Sequence, residues 1–426
     1  MRRLRPKLTL RLRPRPKHLS MASQTTTSTD RLVIDPKWRK LPIVLLVAGG
    51  IIGVIGLFLN PKQFAHSYLL AFMFFLSLCL GAMFLVIVHH LFDAAWSVPV
   101  RRVAEHIMFL LPVMALLFIP IAIMAKPLIY AWMQHDPHAD HALHAKQPIF
   151  TMPGFYIVAI VLFAIWSWLS WSLRRNSLNQ DKDGAAIWTY KMRKLSAGGI
   201  YLFALTLTLG AIMWMKALEH QWFSTMYGVY YFAASVWTIL ATLYVIVAFL
   251  KRTGSLSGVV HTRQIHDIGV LLFAFTVFYA YIAFSQYFLI WNAAIPEETF
   301  WYVKREFGSW WEIGLILIFG HFFLPFLLLL RIDAKLTLPV MIPLCIWAWL
   351  MNFCDMSFNI MPLIHPEGFV LHWMDIACMA FFAGVLSLVF IKYFNSHPPY
   401  PLKDPRLGEA LGVHHAGARA PIAAAD

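Results

Sequence analysis

The chain has 426 residues, of which 60% are hydrophobic and only 13% are charged, which is far from the balance of a soluble domain. Its formal net charge of +14 is concentrated at the start, since 12 of the 35 Lys and Arg residues lie within residues 1–40. The remainder carries 23 basic residues against 19 acidic ones. This near balance argues against a nucleic-acid partner, and the composition indicates a membrane protein.

The first 40 residues lack the long apolar region and the small-residue cleavage site of a secretory signal. Arginines alternate with Leu and Pro as far as Arg15, and a Ser/Thr-rich stretch follows at residues 23–28. We therefore predict a disordered tail. The tail either is attracted to anionic lipid at the cytoplasmic face or has no specific role. A further alternative is that translation starts at Met21.

Ten long apolar stretches follow the tail, and together they predict an all-α polytopic membrane protein. A bilayer core about 30 Å thick requires roughly 20 helical residues at about 1.5 Å per residue. The predicted spans are residues 41–59, 67–92, 103–124, 151–173, 194–216, 225–250, 266–290, 310–330, 336–361 and 372–394.

The loops between the spans differ in basic content according to the side on which they fall. Loops on the side of the two termini carry 13 Lys and Arg residues, and the opposite loops carry six. The positive-inside rule therefore places both termini in the cytoplasm. We divide the chain into a basic tail (1–40), a first helical part (41–216), a second helical part (225–394) and a cytoplasmic tail (395–426).

The cysteines give no sign of a metal centre in this chain. All four lie within predicted spans and none forms a CxxC pair, which argues against an iron–sulfur cluster or a structural zinc site. The chain has neither a glycine-rich phosphate loop nor a GxSxG elbow, so soluble nucleotide and hydrolase chemistry are excluded.

Ionisable residues meet at the cytoplasmic ends of spans 2 and 3, where a short SVP turn joins the two helices. They are His89, His90, Arg101, Arg102, Glu105 and His106. A carboxylate beside imidazoles can exchange protons near neutral pH, so one interpretation is the entry to a proton path. The others are paired charges that anchor the helix ends, or a b-haem held by His106 with His89 or His90.

Polar residues reach deeper into the later spans. They are Tyr279, Ser285 and Gln286 in span 7, His321 in span 8, and Asn352, Asp355 and Asn359 in span 9. The last three share one helical face because their spacing is i, i+3 and i+7.

We expect two proton half-channels that meet near His321, since ionisable groups are costly in hydrocarbon and mark polar paths. Asp375, with His372, would extend the line to the periplasm, and His266, Asp267, Arg331 and Asp333 would lie at its inner end. The competing interpretation is interhelical hydrogen bonding without proton transfer, at about 0.6 to 2 kcal/mol per residue.

Two periplasmic loops have unusual compositions. The loop after span 3 carries His135, His138, His141 and His144, with Asp136 and Asp140 between them, so metal binding is one interpretation. A short solvated loop with Pro137 need not converge its imidazoles, so we predict no metal site. The loop at residues 291–308 is both aromatic and charged, which fits either a docking surface for a periplasmic partner or an aromatic belt.

Two stretches resemble a known family. The first, at residues 81–112, is GAMFLVIVHHLFDAAWSVPVRRVAEHIMFLLP, and it resembles the signature of spans 2 and 3 in NrfD-like, polysulfide-reductase-type membrane subunits. The second, at residues 273–305, is FAFTVFYAYIAFSQYFLIWNAAIPEETFWYVKR. It resembles the smaller of the two such subunits of bacterial alternative complex III, a quinol oxidoreductase that feeds cytochrome c or a terminal oxidase.

The resemblance, which covers residues 35–400, implies two four-helix bundles, spans 2–5 and 6–9, with spans 1 and 10 peripheral. It also implies a bacterial inner membrane, membrane lipid around the chain and a sister NrfD-like subunit that oxidises quinol or menaquinol. Periplasmic iron–sulfur and multihaem cytochrome c subunits would hold the redox centres, so this chain would have no covalently or metal-bound cofactor.

The placement of polar residues suggests which task this chain has in such a complex. A quinol site needs groups that accept protons, and the periplasmic halves of predicted spans 2–5 offer few beyond Ser67, Tyr68 and Tyr156. We therefore expect a proton-conducting and scaffolding subunit. The alternatives are a subunit that itself binds and oxidises quinol, a b-haem anchor and a secondary transporter, although the spans lack the paired interruptions of broken-helix transporters.

Overall fold

The computed structural model describes residues 34–136, 140–147 and 149–412, which form helices and no strands. The predicted disordered tail, as far as residue 33, lies outside these residues. The described residues include ten helices that are long and apolar enough to cross a membrane, as predicted. Numbered as spans 1 to 10, they are Pro36–Leu59, Pro61–Phe92, Val98–Ile129, Met152–Asp183, Ala186–Trp214, Tyr227–Arg252, Thr262–Ala293, Trp310–Leu329, Leu338–Leu363 and Trp373–Ser396.

Span 2 begins six residues before its predicted start. The side chain of Asn60 accepts a hydrogen bond from the backbone N–H of Gln63 (3.1 Å), and Pro61 occupies the first helical turn, where its missing N–H costs nothing. This cap adds Gln63 and His66 to the helix, and both are buried. The predicted start at residue 67 is therefore wrong, and it left two polar residues out of the span.

Spans 2 and 6 form the centre of the protein, with 78% of their most apolar stretch buried, compared with 22% for span 1. Span 2 packs against spans 3, 5, 6 and 10, and span 6 packs against spans 2, 5, 7 and 9. Within spans 2–5, and likewise within spans 6–9, each span packs against the next and the last packs against the first, so the two sets form bundles, called bundle 1 and bundle 2 below. A Cβ at Gly81 would lie 2.5 Å from the carbonyl oxygen of Ser235, so glycine is what lets spans 2 and 6 pack closely.

Spans 1 and 10 pair with each other along their length; both pack against span 2, and span 10 also packs against span 3. Hydrogen bonds between Ile34 and the side chain of Asn395 join the start of span 1 to the end of span 10 (2.9 and 3.2 Å). The outer face of span 1 exposes large apolar side chains, including Val47, Ile51 and Phe58. Such a face suits contact with lipid.

Spans 3 and 8 are not continuous α-helices. Span 3 is divided into Val98–Met108, Leu111–Leu117, Ile119–Met124 and a π-helical turn, Ala125–Ile129. Span 8 consists of Trp310–Ile316, a π-helical segment, Leu317–Phe323, and Leu324–Leu329. The cause in span 8 is Pro325, which has no N–H to donate to the carbonyl four residues earlier, that of His321.

The two sides of the protein are named by the chain ends. The terminal face is the side on which span 1 begins and span 10 ends, and the other side is the opposite face. The terminal face corresponds to the predicted cytoplasmic side. After span 10, residues 397–412 turn back over the terminal ends of spans 3 and 4, where Leu402 N–H donates to Asp181 (2.8 Å).

Short helices occupy several of the loops. On the opposite face they are Ala131–Gln134, His141–Ala145, Lys216–Glu219 and Pro296–Val303, and on the terminal face Ile332–Leu336 and Leu407–Ala410.

Candidate functional site

The predicted polar face of span 9 is buried inside bundle 2. Asn352 and Asp355 are fully buried and Asn359 is 5% exposed. Among the buried residues that the structure describes in spans 6 to 9, Asp355 is the only carboxylate. A buried carboxylate in the middle of a helical bundle is a strong indication of function, because its ionised form is so costly there.

Asp355 lies at the centre of a cluster of tyrosines from spans 6 and 7. The hydroxyl of Tyr230 donates to Asp355 Oδ1 in close contact, and it lies 3.1 Å from the hydroxyl of Tyr279. The other oxygen, Oδ2, has no hydrogen-bond partner among the described residues. This oxygen is therefore free to take up a proton, while Tyr230 holds the carboxyl group in place.

His321 lies next to this cluster, within the π-helical segment of span 8. Its ring centroid is 3.7 Å from that of Tyr279 and 3.9 Å from that of Trp237. Neither ring nitrogen has a hydrogen-bond partner in the described part of the chain, although the side chain is fully buried. The structure thus brings His321 into ring contact with Tyr279, whose hydroxyl is hydrogen-bonded to Tyr230, the donor to Asp355. This is close to where the sequence predicts that two half-channels meet.

Hydrogen bonds connect Asp355 to the opposite face. Asn359 Nδ2 donates to the backbone carbonyl of Asp355 (2.8 Å), and Asn359 Oδ1 accepts from the hydroxyl of Tyr227 (2.9 Å). The guanidinium of Arg305 donates to the carbonyl of Asn359 (3.1 Å) and pairs with Glu219 (3.1 Å). Polar groups therefore run without a break from mid-membrane to the loops.

The charged end of this line is itself buried. Arg305 is 2% exposed, and burial lowers the pKa of its guanidinium while Glu219 opposes the shift. Lys304 also pairs with Glu219 (2.9 Å) and is exposed. Gln286, a predicted site residue, is not a member of this line. Its side chain accepts a hydrogen bond from Ser224 and donates one to Tyr302 (both 3.1 Å).

Towards the terminal face the polar groups are sparser. Trp237 Nε1 donates to Thr276 (2.8 Å) and Trp349 Nε1 donates to Thr242 (2.9 Å). His266 and Asp267 lie 3.7 Å apart and are partly exposed at the start of span 7. Among the described residues, no hydrogen bond connects this pair to His321, so the structure forms the opposite half of the predicted line more completely than the terminal half.

The second group of predicted site residues forms a buried ion network at the terminal face of bundle 1. Arg101 donates to Glu105 (3.0 Å) and to Asp404 (2.7 Å). Arg102 pairs with Glu105 (3.2 Å) and closely with Asp181. The two arginines and Glu105 are at most 3% exposed, so each buried charge has an opposite charge beside it.

The histidines of this network differ in their surroundings. Arg101 donates to His89 Nε2 (2.7 Å), which leaves His89 Nδ1 to donate to Ser97 (2.5 Å). Both nitrogens of His89 are thus engaged, which does not favour it as a haem ligand. His90 Nε2 and both nitrogens of His106 have no partner among the described residues. Because Asp404 lies in the 397–412 segment, the expected proton entry is covered rather than open.

Asp375 belongs to a third cluster and not to the line in bundle 2. Ser67 of span 2 donates to Asp375 (2.5 Å), Gln63 donates to Ser67 (3.2 Å), and His365 donates to Gln63 (2.7 Å). The expectation that Asp375 extends the Asn352–Asp355–Asn359 line is therefore wrong. The reason is that span 10 packs on spans 1 and 2, so this carboxylate faces bundle 1.

The loops of the opposite face show two further features. The loop at residues 291–308 contains the helix Pro296–Val303, whose Trp301 stacks on Trp222 with ring centroids 4.5 Å apart. In the loop after span 3, His138 lies outside the described residues. His135 and Asp140 of that loop lie close to His220 from the loop after span 5. His141 is exposed.

Several residues of the line in bundle 2 are not among those predicted from the sequence. They are Tyr227 and Tyr230 of span 6 and the loop residues Glu219 and Arg305. Their available signal was spacing, since Tyr227, Tyr230 and Ala234 share one face of span 6. No protein-family model matches the chain, and no curated protein matches its sequence.

Proposed function

We propose that this chain is a membrane subunit that carries protons between the opposite face and the middle of bundle 2, within a respiratory quinol oxidoreductase. The observation that carries the proposal is the hydrogen-bonded line from Glu219 through Arg305 and Asn359 to Asp355, with the buried imidazole of His321 packed against Tyr279 beside its inner end. The resemblance of residues 81–112 and 273–305 to NrfD-like subunits of alternative complex III supports the choice of complex. The resemblance implies a bacterial inner membrane, and the positive-inside rule implies cytoplasmic termini.

Each member of the line has a distinct role in this proposal. The carboxyl group of Asp355 and the imidazole of His321 bind and release protons, because both have a free polar atom in a buried site. Tyr230 and Tyr279 relay protons, since a phenolic hydroxyl both accepts and donates. Asn359 and Arg305 hold backbone and side chains in place at the opposite end.

The redox chemistry belongs to partner subunits in this proposal. A sister NrfD-like subunit oxidises the quinol, and periplasmic iron–sulfur and multihaem cytochrome c subunits pass its electrons to cytochrome c or a terminal oxidase. This chain then contributes scaffolding and proton transfer. Purification of the native complex and identification of the co-purifying subunits tests this assignment of partners.

The proton path is tested with Asp355→Asn and His321→Ala in the native complex reconstituted into liposomes. Asn retains an acceptor for Tyr230 but cannot bind a proton, so we expect protons released per electron to fall while haem content and assembly are retained. A pH-sensitive dye together with acceptor reduction measures the ratio. Glu312→Gln is the control, since Glu312 is an exposed carboxylate of span 8.

An unchanged proton-to-electron ratio in both assembled variants would refute the path. Loss of assembly in Asp355→Asn, with normal coupling in the residual complex, would instead support purely structural hydrogen bonding.

A second candidate function, quinol binding by this chain, is favoured by the cluster around Asp375. The opposite face of bundle 1 has more polar side chains than the predicted spans contain. They include Gln63, Ser67, His365 and the buried His66. Fluorescence titration of the isolated subunit with a quinol analogue tests it. A single site that is weakened in Asp375→Asn would establish quinol binding, and the absence of saturable binding would exclude it.

A further inference from the structure

Two loops of the opposite face bring together three metal-binding side chains that are far apart in sequence. His135 and Asp140 come from the loop after span 3, and His220 comes from the loop after span 5. One ligand atom from each lies within 4.8 Å of the others. His220 Nε2 is 2.7 Å from Asp140 Oδ2, and His135 Nδ1 is 4.0 Å from the same oxygen.

Hydrogen bonds to Asp140 Oδ1 and to the backbone carbonyl of His220 hold these two residues in position. They leave Asp140 Oδ2 and the imidazole of His220 available for a metal. Asp140 Oδ1 caps the helix His141–Ala145 by accepting from the N–H groups of Ala142 (2.9 Å) and Leu143 (3.2 Å). Its Oδ2 is therefore directed to the imidazoles. The backbone carbonyl of His220 accepts a close hydrogen bond from Lys146, which connects the two loops.

The third ligand has room to approach the other two. His135 is half exposed and adjusts its side chain freely.

The spacing fits a small divalent cation. Ligands about 2.0–2.1 Å from zinc in a tetrahedron lie about 3.3 Å apart, which is between the two distances found here. Binding would replace the Nε2–H proton that His220 shares with Asp140 and would draw His135 inwards. An open cavity of about 500 Å³, lined by the side chains around His135 and Asp140, leaves room for a water as the fourth ligand.

We propose that His135, Asp140 and His220 form a binding site for Zn²⁺ or a similar divalent transition metal, which crosslinks the two loops of bundle 1 at the opposite face. Two imidazoles, one carboxylate and a water form a common ligand set for zinc. The site shares no residue with the proposed proton path, although His220 directly follows Glu219, the residue at the opposite-face end of that path.

The test is Zn²⁺ binding to the purified full-length protein in detergent, measured by competition with a chromophoric chelator. We expect one Zn²⁺ per chain, and an affinity at least about tenfold lower in His220→Ala and in Asp140→Asn. Asn at position 140 keeps the side-chain oxygen that caps the helix. His266→Ala removes one histidine from the terminal face and is expected to bind as the native chain does.

X-ray absorption of the zinc-loaded protein provides a second readout, with nitrogen and oxygen ligands and no sulfur expected. If His220→Ala fails to fold, His135→Ala tests the site instead, because His135 is exposed and is not needed for packing. Binding that is equal in His135→Ala, His220→Ala and the native chain would overturn the proposal, as would the lack of stoichiometric binding.

Discussion

Bundle 1 and bundle 2 handle buried polar residues in different ways. The terminal end of bundle 1 holds two arginines and Glu105 in close ion pairs, completed by Asp181 and Asp404. Bundle 2 holds a single buried carboxylate among tyrosines and amides, and Asp355 and His321 keep unpartnered polar atoms among the described residues. The buried carboxylate of bundle 1 is held by two arginines, and such paired charges fix a structure. By contrast, Asp355 has no cation beside it in the part of the chain that the structure describes and is held by hydroxyl and amide groups, which can pass protons.

The largest effect is expected from breaking the ion network of bundle 1. Arg102→Met leaves Glu105 and Asp181 buried with less compensation, so we expect a loss of about 3–5 kcal/mol in the free energy of unfolding. Equilibrium unfolding in detergent measures it. Arg331→Met is the control, because the Arg331–Asp333 pair is exposed and contributes little. Equal stability of the two variants would show that the network is not what holds the end of bundle 1 together.

Removal of a single tyrosine hydroxyl tests whether the tyrosines of bundle 2 transfer protons or only pack in the interior. Tyr230→Phe removes the hydroxyl that joins Asp355 to Tyr279, so we expect proton transfer to slow by about tenfold or more. Proton uptake into liposomes measures it. Tyr231→Phe is the matched control, because the adjacent Tyr231 hydroxyl donates to the carbonyl of Met73 in span 2 (2.7 Å), away from the line. Equal slowing in both variants would argue for a structural effect.

The smallest effect is expected where the chain covers the end of bundle 1. Asp404→Asn removes the charge that faces Arg101 but leaves Glu105 in place, so we expect about 1–2 kcal/mol of local destabilisation. Amide hydrogen exchange within residues 397–412 should become faster, while exchange in span 3 stays unchanged. Faster exchange throughout bundle 1 would mean that this contact supports the whole network.

The sequence predicted the helices well and the side-chain partners less well. Ten spans follow from hydropathy because the bilayer imposes a minimum length, and the i, i+3, i+7 spacing places Asn352, Asp355 and Asn359 on one buried face. Asp375 shows the limit of this reasoning. Periodicity gives the face of a helix but not its neighbour, so the packing of span 10 against span 2 could not be predicted.

The remaining misses have equally local causes. The cap at Asn60 moved the start of span 2 and brought His66 into the protein interior. The meeting of His220 with Asp140 depends on two loops that are 80 residues apart in sequence, and loop convergence leaves no periodic signal.

The position of Asp404 has a consequence for biosynthesis. Arg101 is synthesised early, at the start of span 3, yet its partner Asp404 is synthesised about 300 residues later, after every span. At a translation rate of about 5–20 residues per second, Arg101 lacks the carboxylate of Asp404 for a time on the order of tens of seconds. Until residue 404 has left the ribosome, the nascent chain has an incomplete charge network, so the final contact marks a chain whose insertion is finished.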